Sequence, residues 1–426
     1  MGEVVLGAAA AEPAAGGDTA VVGAEAAARN AQEGALAADL PAGRPLNVLL
    51  MISSLEYGGA ERQVVQLANY LPRERFNVSI CSLSPLVPLA EGLHDRGQLH
   101  IVEKRSKYDF STVGRAAKLM RRLGTDVVHA FLFDAEMVAR LAARRGGASV
   151  MIASERNTDY VRPLVHSIAL RLTRGRADAM IANSNAGKLF NMRTLGLPDE
   201  HIHVVHNGVD VSRFRPTDPS IVRRELGIAP TDRVIGMVAN FKRQKNHAAF
   251  FRMAEALLKR YPDCWFLCVG EPLRDNAQGA EDYHREMRQL LATMSIEPRT
   301  RFLGKRQDMP EVYSACDVTV LTSEREGTPN VLLESMACGV PVVATNVADN
   351  AYVVPEGRVG HIVPLNDVPA MVERVAGLLD DPARRRAMGD AARAWVESEF
   401  SIAALVRKTG AIYETLYRRK RAQRGG

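Results

Sequence analysis

Short apolar runs alternate with amphipathic stretches along almost the whole chain, and they do so in two successive series. The first series has runs near residues 46–53, 76–82, 99–103, 126–130, 148–154, 178–182 and 202–206. The second has runs near 233–239, 263–269, 300–303, 317–321, 341–344 and 359–363. A run such as Leu46-Asn-Val-Leu-Leu-Met-Ile-Ser53 is continuous rather than alternating, as expected of a strand buried on both faces. Strands that alternate with helices build parallel sheets covered by helices on both sides. The chain therefore reads as α/β, with two half-chains of the same architecture facing each other.

The two series are separated by 210–219, which carries Pro216 and Pro219 and shows no apolar period. The interdomain connection is placed there, giving one domain over 44–212 and a second over 213–401. A last amphipathic helix is expected over 402–420, with a basic end at Arg418-Arg-Lys-Arg421, so that 402–426 forms a C-terminal helix with a basic tail. Residues 1–43 are rich in Ala and Gly and lack a basic start followed by a continuous apolar core. They read as a disordered leader rather than a signal peptide.

Composition narrows the function classes. At 426 residues the chain can fill two ordinary cores, and no run approaches the length of a bilayer span. The net charge of +6 favours anionic partners such as phosphates or a lipid headgroup layer. Nucleic acid is not expected, because the basic residues are scattered and no reading motif is present. Five cysteines without metal-ligand spacing point to a reducing compartment, no disulfide framework and no metal site.

The most informative stretch is Asp317 to Thr345. It reads as a strand to Leu321, a loop over 323–328, and a helix with Pro329 in its first turn, where a missing N–H removes no bond. In open α/β sheets ligands bind beyond the carboxyl ends of the strands, where a helix N-terminus offers free N–H groups to a diphosphate. Thr328, Pro329, Asn330 and Val331 would form that seat. Glu326 lies in the loop, within reach of a sugar. Glu334 lies a turn into the helix among Val331, Leu332, Leu333 and Met336, poor company for a carboxylate that has no polar partner. A vicinal diol such as a ribose would supply one. The cluster Lys242, Arg243 and Lys245 sits beside the same seat and suits phosphate.

The segment SEREGTPNVLLESMACGVPVVAT resembles the E-x7-E signature of glycosyltransferase family 4, with Glu326 and Glu334 as its two glutamates. The resemblance runs from about Asn47 to the C-terminus, and several motifs match in order. Gly58-Gly59-Ala60-Glu61 is similar to the family's glycine-rich first loop. His129, ending the strand Asp126-Val-Val-His, matches a histidine that contacts the donor sugar, Asn183-Ser184 and Asn207-Gly208 match the N-S and N-G-V-D elements, and 357–363 the late G-x-x-G turn. Membership implies the GT-B fold: two facing Rossmann-like domains, with the last helix crossing back to the first. It also implies sugar transfer from a nucleotide-diphosphate sugar, a UDP-sugar by family practice, with retention of configuration and without a metal or other cofactor. The acceptor would be a glycan or a lipid-linked glycan, and an anionic membrane surface a further partner. A cytoplasmic enzyme, peripheral at the inner face of the plasma membrane, is the corresponding location.

Catalytic roles then fall to Glu326, His129 and Lys245. Donor binding falls to Glu334, Gly58, Gly59, Asn240, Arg243 and the seat 328–331. One departure stands out: the family's phosphate pair reads G-R-L-x-x-x-K, whereas Ala239-Asn-Phe-Lys-Arg-Gln-Lys245 places Asn240 where the arginine belongs. Lys242 or Arg243 is expected to supply the missing cation. The rival readings are a nucleotide-sugar epimerase of the same fold and a catalytically silent binding protein.

Overall fold

The computed structural model describes residues 44–106, 109–156, 163–272 and 277–425. The expected leader, 1–43, lies outside these residues. Pro45 to the C-terminus forms one compact unit. Its first half is a seven-stranded parallel sheet, built from β1 (Leu46–Ile52), β2 (Phe76–Ser82), β3 (Leu99–Ile101), β4 (Val127–Phe131), β5 (Val150–Glu155), β6 (Ala179–Ala182) and β7 (Ile202–Val204). Their spatial order is β3-β2-β1-β4-β5-β6-β7. The crossovers include α1 (Gly59–Tyr70), α2 (Ser111–Leu123), α3 (Phe133–Gly146), α4 (Leu164–Leu172) and α5 (Asn185–Leu195).

The second half repeats the plan with six parallel strands: β8 (Arg233–Val238), β9 (Cys264–Val269), β10 (Thr300–Gly304), β11 (Val318–Leu321), β12 (Val342–Thr345) and β13 (Gly360–Val363). Their order is β10-β9-β8-β11-β12-β13. Helices α6 (Ser220–Glu225), α7 (His247–Arg260), α8 (Ala277–Ala292), α9 (Met309–Ala315), α10 (Asn330–Ala337), α11 (Asn350–Val353), α12 (Val368–Asp380) and α13 (Pro382–Glu399) flank it. The expected α/β, GT-B-like fold class is what the chain adopts, and each apolar run noted above is a strand.

The burial pattern explains why. Along β1, Leu46, Val48, Leu50 and Ile52 enter one core while Leu49 and Met51 enter another, on the opposite face of the sheet. In the second sheet Ile235 and Met237 join Phe250 and Phe251 of α7, whereas Val234 joins Leu332 and Leu333 of α10. Side chains of a strand alternate between faces, so a strand with cores on both sides must be apolar throughout.

The last helix, α14 (Ile402–Gly425), places Leu405, Tyr413, Leu416 and Tyr417 in the core of the first half. Arg75 grips its Glu414 through two hydrogen bonds of 2.8 and 2.5 Å. The preceding α13 belongs to the second half through Ala392, Val396 and Phe400. The two chain crossings between the halves pair with each other: Val209 N donates to Phe400 O (2.8 Å), and Ile402 N donates to Val209 O (3.1 Å).

In both sheets the strand order reverses beside the central strand, between β1 and β4 and between β8 and β11. Ligand crevices of doubly wound sheets open at such points, past the carboxyl ends of the strands.

Candidate active site

The loop after β11 does not float. Thr322, at its base, donates through Oγ1 to the carbonyls of Lys245 and Asn246, both at 2.9 Å. Glu324 N donates to Gln244 O at 2.8 Å, and Thr345 Oγ1 to Ser323 O at 2.5 Å. These bonds lash the loop to the short turn Arg243–Lys245 that follows β8. Two segments about 80 residues apart are thereby fixed side by side, and Lys245 Nζ meets Glu326 Oε1 at 2.5 Å. Both side chains are largely buried, at 17% and 8% exposure, so the pair is poorly screened and its geometry is held.

Past Glu326 the chain turns at Thr328 and enters α10, with Pro329 in the capping position just ahead of the helix. One turn in, Glu334 is half-buried and accepts a hydrogen bond from Tyr313 Oη at 2.9 Å. Burial pushes the Glu334 carboxyl above its usual range, with the Tyr313 bond pulling the other way. Tyr313 thus occupies one carboxylate oxygen, and among the described residues no other side chain bonds the carboxylate.

The first half reaches the same place. Asn207, just after β7, donates through Nδ2 to Thr328 O (3.1 Å) and to Asn330 Oδ1 (2.9 Å). Thr328 Oγ1 donates to Asn183 O. A β-carbon on Gly59 would lie 3.8 Å from Asn330 Nδ2, so the glycine-rich turn faces the start of α10 across the cleft. Lys305, after β10, sets its ammonium 4.5 Å from the ring centre of Tyr57 in that turn.

Farther along, Asp349 of the second half accepts from Asn185 N (2.6 Å), Ala186 N (3.0 Å) and His206 Nε2 (2.9 Å). Burial opposes ionisation of Asp349, yet these donors together hold its carboxyl below the usual range. It acts as an acidic clasp at the N-terminus of α5.

The structure therefore brings together Lys245, Glu326, Thr328, Pro329, Asn330, Val331, Glu334 and Gly59, with Gly58 capping α1. Two expectations need correction. His129 does not end its strand: β4 runs on to Phe131, and His129 sits mid-strand with no exposed surface. Its Nδ1 is 2.7 Å from Tyr413 Oη of α14, and Phe131 covers it at 4.2 Å between ring centres. Burial, then the charge of Arg156, pushes its pKa well below the ordinary value, so the ring is neutral. His129 thus packs within the first half, against Tyr413 and Phe131, with no exposed surface.

Arg243, expected beside the seat in place of the arginine missing at Asn240, points instead to the surface. Its guanidinium is exposed, 2.7 Å from Glu286 of α8 and stacked over Tyr283 at 5.3 Å. Asn240 itself is exposed between buried Ala239 and Phe241. Lys242 is half-buried beside it.

Tyr313, Arg156 and Asp349 were not singled out from the sequence. Tyr313 in Val-Tyr-Ser-Ala-Cys reads as ordinary helix core, and Asp349 finds its donors 143 to 164 residues away. The basic C-terminal end is not a free tail: Arg418 bonds Glu414, Lys420 pairs with Asp178 at 2.6 Å and Arg424 bonds Ser149. All five cysteines are free and buried, and burial pushes the Cys81 thiol up to about 12. Among the described residues no helix is long and apolar enough to cross a membrane.

Two facing parallel sheets, with a lysine–glutamate pair and a second glutamate around one helix N-terminus between them, define a glycosyltransferase of GT-B fold. The profile described as Glycosyltransferase Family 4 matches residues 57–213, and that described as Glycosyl transferases group 1 matches 220–395. The chain is 30% identical over 246 residues to the lipopolysaccharide core biosynthesis mannosyltransferase LpsB of Rhizobium meliloti, covering 57% of this chain and 67% of that protein. It is 25% identical over 348 residues to the UDP-Gal:alpha-D-GlcNAc-diphosphoundecaprenol alpha-1,3-galactosyltransferase of Escherichia coli, covering 76% and 85%. Among solved structures, Anabaena Alr3699/HepE in complex with UDP superimposes with a TM-score of 0.76 at 21% identity, over 87% of this chain and 99% of that one. The chain belongs to glycosyltransferase family 4.

Proposed function

We propose that the enzyme moves a sugar from a UDP-sugar to a glycan or lipid-linked acceptor, with retention of configuration and without a metal. The observation that carries this reading is the buried Lys245–Glu326 pair at the mouth of α10, with Glu334 one turn deeper. A diphosphate at the N-terminus of α10 receives its free N–H groups and the dipole. Lys245 stabilises the negative charge that grows as the sugar–phosphate bond breaks, which is electrostatic catalysis. Glu326 holds Lys245 in place and accepts from sugar hydroxyls, while the free oxygen of Glu334 accepts from the ribose. Retention follows when the acceptor attacks from the face the diphosphate leaves, its proton passing to the departing phosphate.

The UDP-bound fold relative and the UDP-galactose-using relative both support uridine as the base. Calorimetry with UDP and GDP, then transfer to lipid-linked and soluble acceptors with and without chelator, tests the proposal. The anomeric proton coupling of the product reads the stereochemistry. Nucleotide released only with acceptor supports transfer. An isomerised donor formed without acceptor indicates the epimerase, and no turnover at all the silent binding protein.

A lipid-linked acceptor needs a membrane, and α4 favours one. Leu164, Val165, Ile168 and Leu172 are 68, 74, 48 and 82% exposed on it, an apolar stripe at helical spacing. Arg171, Arg174 and Arg176 beside it are exposed too. A cavity of about 330 Å³ lined by Arg144, Arg176, Lys420 and Arg424 joins this surface to the end of α14. An anionic bilayer at the cytoplasmic face matches both the stripe and the charge, each basic residue near it contributing about 1 kcal/mol. Leu164→Glu with Leu172→Glu should abolish sedimentation with anionic vesicles at low salt. Binding to neutral vesicles alone, or a wild-type dimer that the double variant makes monomeric, would show another occupant.

A further inference from the structure

We infer that Arg156 of the first half is the second cation for the donor diphosphate, taking from across the cleft the place that Asn240 leaves empty. The inference rests on the nucleotide-sugar reading above and adds a residue to it.

The second half alone is short of positive charge at the proposed seat. Lys245 is already opposed by Glu326, Asn240 is neutral, Arg243 is tied to Glu286 at the surface, and Lys305 lies over the Tyr57 ring, which leaves Lys242 beside Asn240. A nucleoside diphosphate leaves with at least two negative charges, more than Lys242 and a Lys245 already paired with Glu326 offset.

Arg156 follows the last residue of β5, at the carboxyl end of the first sheet. Its Nη1 donates to Asn207 Oδ1 at 2.9 Å, and the same Asn207 amide donates to Thr328 O and Asn330 Oδ1. One side chain thus separates the guanidinium from the first residue of α10. Its Nε donates to Ser154 Oγ at 3.0 Å, and its plane lies over Phe131 at 5.5 Å.

Every one of these partners is neutral. Among the described residues no carboxylate pairs with Arg156, and its Nη2 is buried without a hydrogen-bond acceptor. A guanidinium carries five N–H donors and is normally buried only with a counter-charge or a full set of acceptors. Burial accordingly draws its pKa down to about 10, which still leaves it charged at neutral pH. A half-buried cation with a buried Nη2 and no anion, two hydrogen bonds from a helix N-terminus, fits a phosphate oxygen as its missing partner.

Asn207 explains how the arm is aimed. Its oxygen takes Arg156 while its amide takes the start of α10, so the guanidinium is held in register with the seat and Nη2 remains for the ligand. The contacts of Arg156 lie within the first half and, among the described residues, Asn207 alone carries them to α10, so Arg156 would meet a diphosphate where the two halves come together.

Calorimetry with UDP and with uridine separates this contact from the rest of the site. Arg156→Gln should weaken UDP at least tenfold while uridine affinity stays within twofold, and Arg156→Lys should recover part of the loss. Unchanged UDP affinity in either folded variant overturns the inference. So does unchanged UDP affinity with a raised KM for a lipid diphosphate acceptor, which would move Arg156 to the acceptor. If Arg156→Gln does not fold, the lysine variant decides, since it keeps the charge but cannot span Asn207 and the ligand together. A wild-type chain that binds neither UDP nor GDP refutes the nucleotide-sugar reading itself rather than the role of Arg156 within it.

Discussion

Glu334→Gln separates function from stability at a single atom. The substitution keeps an oxygen for the Tyr313 hydroxyl, 2.9 Å away, and so disturbs the α9–α10 packing little. What it removes is charge. A charge-assisted hydrogen bond contributes about 1.5–3 kcal/mol, and 1.4 kcal/mol is tenfold in affinity. UDP should therefore bind roughly 10- to 150-fold more weakly. Stability should move the other way or stay level. Burial raises the folded-state pKa of Glu334 above its unfolded value. The folded chain thus takes up this proton more readily than the unfolded chain. The associated stability is fully present below the unfolded pKa and is lost as pH rises through the folded one. At neutral pH the ionised carboxylate is a burden on the empty enzyme, and glutamine relieves it. For the same reason UDP affinity of the wild type should decline as pH falls through the raised Glu334 pKa. Isothermal titration and urea unfolding of the same preparations measure both effects. Unchanged UDP and GDP affinity in the folded variant would refute the ribose role. A loss of stability beyond about 1 kcal/mol would refute the account of why this carboxylate is strained.

Tyr413→Phe removes what is, among the described residues, the only hydrogen bond to the His129 ring, whose buried Nε2 has no partner among them. Urea unfolding should show a loss of about 1–3 kcal/mol, with turnover per folded molecule unchanged; a large fall in kcat at equal stability would return His129 to the reaction. Arg243→Ala breaks a solvent-exposed pair worth less than about 1 kcal/mol. It should leave UDP affinity unaltered in calorimetry, and a tenfold loss would restore Arg243 as a phosphate ligand.

The strands were legible because a doubly buried strand carries little that is polar: β1 is apolar from Val48 to Ile52 and β8 from Val234 to Val238. The E-x7-E stretch was legible because a carboxylate on the apolar helix α10 is locally anomalous. His129 was misplaced by a shift of two residues at a strand end. Apolar patterning marks that a strand exists, but the last backbone pairing sets where it stops, and Phe131 still pairs with Ile52 and Ser154. That pairing carries His129 beneath the surface and into contact with α14, 284 residues later. Arg243 was misjudged because a charge run shows no direction: whether a long side chain faces the cleft or the solvent depends on Glu286, on another helix. Arg156 and Tyr313 carry no local signal, since each is defined by what tertiary structure sets beside it.

Three consecutive residues after β7 explain how the halves communicate. Asn207 holds the entrance of α10 and receives Arg156. Gly208 exchanges two 3.1 Å hydrogen bonds with Gln63 of α1, the helix that begins at the glycine-rich turn. Gly208 must be glycine for a packing reason, because a β-carbon there would stand 2.9 Å from Leu405 Cβ and 3.2 Å from Ile402 Cα in α14. Val209 then pairs with the second crossing at Phe400 and Ile402. Two crossings joined by backbone hydrogen bonds resist sliding past each other but tolerate rotation about their common line, which is hinge geometry. Rotation there moves Asn207, α1 and α14 as one body against α10. If Arg156 meets the diphosphate as inferred above, a ligand in the seat at α10 also ties the two halves together, because its contacts come from both sides of the cleft. Donor binding and closure would then be one thermodynamic step.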